Sequence, residues 1–181
     1  DEALELVESV FSSCLARKEL ALLRFLYLAY EKGAAILTML GNPTVSKLLA
    51  AQRHLYGEVH LLKGFIRFTD YGGMLSATIT PKNFVLPFLE EHFVQRFPGE
   101  TFLIFDKTHR AALVHEHGRH DIVSLESIDF LPPPPEELRY QQLWKQFYTT
   151  IAIEARDNPK CRMSHIPKRY WGNMVEMKDL L

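Results

Sequence analysis

NPTVSKLLAAQRHLYGEVHLLKGFIRFTD, residues 42–70, changes its apolar period from helical to strand-like with no loop between. Asn42 can accept a hydrogen bond from a free amide at a helix start, and Pro43 suits the first helical position. On a helical wheel Val45, Leu48, Leu49, Leu55, Tyr56, Val59 and Leu62 fill one broad arc that must face a core. Lys47, His54 and Glu58 lie opposite and are expected in water. Arg53, Gly57, His60 and Gly64 follow one edge between the arcs, at spacings of four, three and four. Each glycine costs a helix about 1 kcal/mol relative to alanine. Their presence suggests close packing of another segment against Gly57 or a ligand pocket beside Arg53, Gly57 and His60, with His92 as a further candidate.

Upstream of this joint the chain reads as helix. Residues 2–11 place Leu4, Val7, Val10 and Phe11 at helical spacing. Residues 20–40 form a core helix through Leu22, Leu23, Phe25, Leu26, Leu28, Ile36 and Leu37, with Gly33 as an interruption and Gly41 as a stop. Downstream, residues 65–70 and 74–80 read as two strands around Tyr71, Gly72 and Gly73. A helix over 83–97 buries Phe84, Phe88, Leu89, Phe93 and Phe97, and strands follow over 101–106, 110–116 and 119–125. A two-residue turn at His117 and Gly118 would set Glu116 opposite Arg119 and His115 opposite His120. The expected fold class is therefore α+β, a roughly five-stranded, mostly antiparallel sheet packed against helices.

The length of 181 residues and the 47% hydrophobic content suit one domain over residues 1–181, with a helical part (1–63), a sheet part with one covering helix (64–125) and a C-terminal helical, basic segment (136–181). Pro132 to Pro135 form a stiff connector before the last part. The helix after it, 136–157, carries Trp144, Phe147, Tyr148, Ile151, Ala152 and Ala155 on one face, with acids at its start. Charge is balanced, 21 basic against 22 acidic residues, which excludes a uniformly basic coat and leaves room for a local patch. Two isolated cysteines, Cys14 and Cys161, form no disulfide framework, so a reducing cytoplasm is expected. No run approaches the roughly 20 apolar residues of a membrane span, and the opening DEALELVESV is unlike a signal peptide.

His109, His115, His117 and His120 invite a metal reading. In the proposed hairpin only His115 and His120 are neighbours, and His109 lies roughly 20 Å from His115 at about 3.3 Å per residue. No metal and no cofactor are expected. Arg67, on a strand with apolar neighbours, calls for a carboxylate, Asp70 or Asp106. No catalytic motif stands out. The enzymatic alternative is a hydrolase or nuclease using His60 or His92 with a carboxylate such as Asp106, and the dispersal of the acids argues against metal-assisted phosphodiester cleavage.

The most basic stretch is RDNPKCRMSHIPKRYW, residues 156–171, where Arg156, Lys160, Arg162, Lys168 and Arg169 face the single acid Asp157. Pro167 can start a short helix that sets Lys168 and Arg169 beside Tyr170 and Trp171. That pattern fits phosphate contact with base stacking, or cations lying over a core anchored by Trp171.

QQLWKQFYTTIAIEARDNPK and RMSHIPKRYW, with HLLKGFIRF and LPFLEEHFVQRFP upstream, resemble a bacterial family labelled "probable DNA metabolism protein". The chain is similar to a domain of unknown function found ahead of a uracil-DNA-glycosylase-like domain in some longer proteins. The resemblance implies association with a radical S-adenosylmethionine protein of DNA modification or repair. It points to Lys63, Gly64, Phe65, Arg67 and Phe68, to His92, Arg96 and Phe97, and to Pro167, Lys168, Arg169, Tyr170 and Trp171. The combined expectation is a nucleic-acid-associated accessory protein that binds DNA through Lys63, Arg67, Arg162, Lys168, Arg169, Tyr170 and Trp171. A protein adaptor for the radical enzyme, anchored by Tyr170 and Trp171, is the other non-enzymatic reading.

Overall fold

The computed structural model describes residues 2–151 and 158–180. The elements are α1 (Glu2–Ser12), α2 (Lys18–Lys32), α3 (Pro43–Phe65), β1 (Thr69–Asp70), β2 (Met74–Ile79), α4 (Leu86–Arg96), β3 (Thr101–Asp106), β4 (Ala111–Glu116), β5 (Arg119–Ser124), α5 (Pro135–Ile151) and α6 (Pro159–His165), with 3-10 turns at Gly33–Thr38, Lys168–Asn173 and Lys178–Leu180. The chain divides into two compact units, Asp1–His60 with Pro81–Val85, and Leu61–Thr80 with Leu86–Leu181. None of the described helices is long and apolar enough to cross a membrane.

The first unit is helical. Leu6 and Val10 of α1, Ala21, Leu22 and Phe25 of α2, Ile36, and Val45 and Leu48 of α3 form its core. Gly33 takes φ +60°, which is cheap only for glycine, and there the α2 ladder gives way to the 3-10 turn. Asn42 Oδ1 accepts from the amides of Thr44 (2.9 Å) and Val45 (3.4 Å), the cap its sequence predicts for α3. Exposure differs from expectation on the outer faces: Leu4 and Phe11 of α1 and Leu23 and Leu26 of α2 are exposed. A helix of several leucines has more apolar surface than one core can cover. Gly57 is not packed against a neighbour, since a Cβ there would meet nothing within 4 Å.

The second unit is built on one sheet of order β1-β2-β3-β4-β5. Three of its pairings are antiparallel, and β2 pairs β3 in parallel across the α4 crossover. The fold is α+β with a mixed, mostly antiparallel sheet. The β4–β5 register sets Glu116 opposite Arg119 and His115 opposite His120, as the turn chemistry predicts. His117 (φ 50°) and Gly118 (φ 74°) both take positive φ, the requirement of a tight primed turn. Residues 65–68 are a correction: Phe65 ends α3 and only Thr69 and Asp70 pair as strand. Phe68 packs edge-on against Phe93, Phe97 and Phe102, so its apolar neighbours reflect core contacts and not strand alternation. Helix α4 begins at Leu86, three residues later than expected, because Asn83 is held by hydrogen bonds in the first unit.

Asn158 caps α6 by accepting from the Cys161 amide (3.0 Å). The expected face residues Ala152 and Ala155, and the charges Arg156 and Asp157, lie outside the described residues.

Candidate nucleic-acid interface

Where α3 ends, the chain turns and Arg67 becomes the hinge of the second unit's polar surface. Its Nε and Nη2 donate to Glu176 Oε1 at 3.1 and 2.8 Å, and its Nη1 donates to the carbonyls of Gly64 (2.9 Å) and Ile66 (3.3 Å). Neither Asp70 nor Asp106 is its partner; the pairing is of the expected kind but reaches a carboxylate 109 residues away. Four bonds fix the guanidinium plane, and Trp144 of α5 lies beneath it with 6.0 Å from ring centroid to Cζ. Arg67, Arg96, Tyr140 and Trp144 line an open groove of about 530 Å³, together with Ile66, Phe68 and the acidic Glu137.

Trp144 is 43% exposed and Tyr140 62%. None of the α5 residues through Ile151 is buried, and Trp144, Phe147 and Ile151 of its apolar face are exposed. Burial, and after it the charges of Lys63 and Arg96, hold His92 below the ordinary histidine pKa. The His92 Nε2 is buried without a hydrogen-bond partner among the described residues.

On the other side of Arg67 is a smaller cavity of about 320 Å³, which shares Arg67, Gln141 and Val175 with the groove. Its walls include Tyr71 and Phe130, stacked at 5.5 Å with 15° between planes. Burial, and secondarily the Glu137 carboxylate, push the Tyr71 phenol up, so it remains a donor at neutral pH. Ser76 of β2 is 3% exposed, and its hydroxyl has no hydrogen-bond partner among the described residues. An unmade hydrogen bond at a buried hydroxyl costs about 1–3 kcal/mol.

The C-terminal aromatic pair is core. Tyr170 is 2% exposed and Trp171 4%, so neither ring can stack on a base from this position. Trp171 Nε1 donates to the Ile166 carbonyl at 2.8 Å, and Tyr170 packs on Phe65 with ring centroids 5.9 Å apart. Lys168 and Arg169 lie over these rings, 5.5 Å from the Trp171 centroid and 4.6 Å from that of Tyr170, with their side chains exposed to water. This is the core alternative of the two readings: the cations cover the rings and keep their charge outside. Arg162 is partly buried in α6. Arg53, Gly57 and His60 are all exposed along α3 in the first unit, and among the described residues a Cβ at Gly57 would meet nothing within 4 Å.

The acid proposed for a hydrolase is already engaged. Buried Asp106 accepts from His109 Nδ1 at 2.6 Å and from the amides of Thr108 and His109, an arrangement that closes the β3–β4 turn. Burial raises its pKa against the opposing pull of His109. Among the described residues no three potential ligands converge on a metal position. His115 is buried, its Nδ1 is 2.8 Å from the Glu100 carbonyl, and it stacks on Phe102.

One polar cluster of the first unit escaped sequence reading. Glu58, expected in water, is 2% exposed and accepts from the amides of Lys82 (3.0 Å) and Asn83 (2.8 Å) and from Asn83 Nδ2 (2.6 Å). Asn83 Oδ1 accepts from the Cys14 amide (2.9 Å), which turns its amino group to Glu58 and to His54 Nδ1 (3.0 Å). That orientation assigns the His54 proton to Nε2. Cys14 Sγ is 3.9 Å from His54 Nδ1. No local signal announces this cluster, because its members lie up to 69 residues apart.

Comparison with known proteins gives a family and little more. The model of a domain of unknown function, DUF4130, matches residues 16–176. The chain belongs to the DUF4130 family. The match spans both compact units, so the joint helix, the sheet, the groove at Arg67 and the buried Trp171 all fall within the DUF4130 region. No curated protein and no solved structure matches the chain.

Proposed function

We propose that this DUF4130 chain is a nucleic-acid-associated accessory protein, and that single-stranded DNA lies in the groove of the second unit. The observation that carries the reading is the exposed Trp144 under the fixed Arg67 guanidinium, with Arg96 and Tyr140 beside it. Cations that seek phosphate, interleaved with open aromatic faces, are the chemistry of single-strand binding. Arg67 is neutralised by Glu176, so it positions the ring more than it attracts phosphate; the attraction falls to Arg96, which shares the groove lining with the Glu137 carboxylate, while Lys63 lies outside that lining. Lys168, Arg169 and Arg162 serve in this reading as further phosphate contacts, while Tyr170 and Trp171 leave it. The resemblance to proteins of DNA metabolism supports the same direction and suggests a radical S-adenosylmethionine protein of a bacterial modification or repair system as the working partner. No residue is assigned a catalytic role, and the cytoplasm is the compartment that fits.

A second reading draws on α5, whose Leu143, Phe147 and Ile151 are exposed beside Trp144. An unpartnered apolar helix face suits an adaptor that docks on the partner enzyme.

Titration of a fluorescent single-stranded oligonucleotide at several salt concentrations tests the first reading. Arg96→Ala should weaken binding for all sequences and reduce the slope of log affinity against log salt by about 0.7, the share of one phosphate left without its cation. Absence of wild-type binding at low salt would leave the adaptor reading in its place.

A further inference from the structure

Helix α2 of the first unit buries Ala21, Leu22 and Phe25, and its opposite face is bare. Leu20, Leu23, Tyr27 and Tyr30 are all exposed there, Tyr30 by 91%. Their spacing of three, four and three is that of the a and d positions of a coiled-coil seam. At 3.6 residues per turn the four share an arc of about 80°, opposite the buried side chains. A shallow groove of about 520 Å³ between Leu23, Arg24, Tyr27 and Leu28 opens on this side and has room for an apolar side chain from outside.

The charges beside the seam say what covers it. With Leu20 and Tyr27 at a and Leu23 and Tyr30 at d, Glu19 takes a g position and Arg24 the e position five residues on. In a parallel two-stranded coil a g residue faces that e residue of the other helix. A second copy would therefore set Glu19 against Arg24 twice, once on each side of the two-fold axis. The antiparallel arrangement with the same four layers sets Arg24 beside Arg24 of the second copy, like charge on like. Glu31, the other e position, meets the uncharged g position Leu26. Among the described residues neither Glu19 nor Arg24 has an ion-pair partner within the chain, so both charges are available.

We infer that α2 is a homodimer interface, on which a second copy of this chain packs its own α2 in parallel, seam to seam, about a two-fold axis. Two heptads make a short seam, so the dimer forms reversibly and depends on concentration.

The test is sedimentation velocity of the whole chain over a concentration series reaching several hundred micromolar. The wild type should pass from monomer to dimer. Leu23→Glu puts two carboxylates in one layer and should leave only monomer, with an unchanged thermal melt because Leu23 is exposed. Glu19→Arg alone or Arg24→Glu alone turns both cross-pairs from attraction to repulsion and should weaken the dimer about tenfold. The double variant Glu19→Arg with Arg24→Glu restores opposite charges and should recover wild-type association. A wild type that stays monomeric throughout overturns the inference and leaves this face to a different protein. A dimer indifferent to Leu23→Glu overturns it too, since the contact then lies elsewhere. Loss of association in both single variants without recovery in the double one contradicts the parallel pairing.

Discussion

Two segments of the second unit carry neighbouring aromatic rings among cations, and the structure treats them in opposite ways. In α5, Trp144 and Phe147 stand 5.8 Å apart and are 43% and 53% exposed. In the turn Lys168–Asn173, Tyr170 and Trp171 are enclosed. Pattern alone does not separate them, since α5 has the amphipathic period of a packed helix and the turn fits a basic, aromatic contact surface as well as cations over a core anchored by Trp171. A period shows that a helix has an apolar face; it does not show that anything covers it. Lysine and arginine beside a ring do not imply a free ring either, because their long stems lie over it while the charge stays in water. The polar atom of the ring decides more: Trp171 Nε1 has the Ile166 carbonyl.

The comparison breaks most visibly under substitution of Trp171. Trp171→Ala should destabilise the protein by about 3–5 kcal/mol, read as a lowered denaturation midpoint. A near-native midpoint would move that ring back to the surface. A smaller effect is expected where polar groups take the core's place: Asn83→Ala leaves the Cys14 amide without its acceptor and removes one of the donors to Glu58, whose oxygens keep the Lys82 and Asn83 amides, and should cost about 1–3 kcal/mol, measured in the same way. Trp144→Ala should change stability by no more than about 0.5 kcal/mol, as at an ordinary surface position. A large loss there would show α5 to be covered in solution.

The smallest effect concerns His92. Its folded pKa is depressed by burial and by Lys63 and Arg96, so the unfolded chain binds the proton more readily. Stability from this group is present above the ordinary histidine pKa of about 6.5 and is lost as pH falls from there through the folded value. His92→Gln should flatten the stability profile in that window and leave it unchanged above. An unaltered acid limb would place the imidazole in solvent.

The sequence was most informative where local chemistry acts alone. Asn42 and Pro43 announce the start of α3, and His117 with Gly118 fixes the register of β4 and β5, because caps and tight turns depend on a few adjacent residues. Reading failed where the partner is distant. Glu58 looks solvent-facing on a wheel, yet Lys82 and Asn83 bring their amides to it. Arg67 plainly needed an acid, and nothing within its own stretch could name Glu176. The same holds for the proposed site: the sequence points to Lys63 and Arg67 as nucleic-acid contacts and the resemblance adds Arg96, whereas Trp144 shows only as one residue of the α5 apolar face, with no sign of its place beside Arg67.

Binding of a single-stranded oligonucleotide at low salt, compared between the wild type and Trp144→Ala, tests the account most directly. The wild type should bind, and loss of a stacking ring should weaken the complex by about 1–3 kcal/mol with folding intact. Equal affinity of the two proteins, or no binding by the wild type, would contradict it.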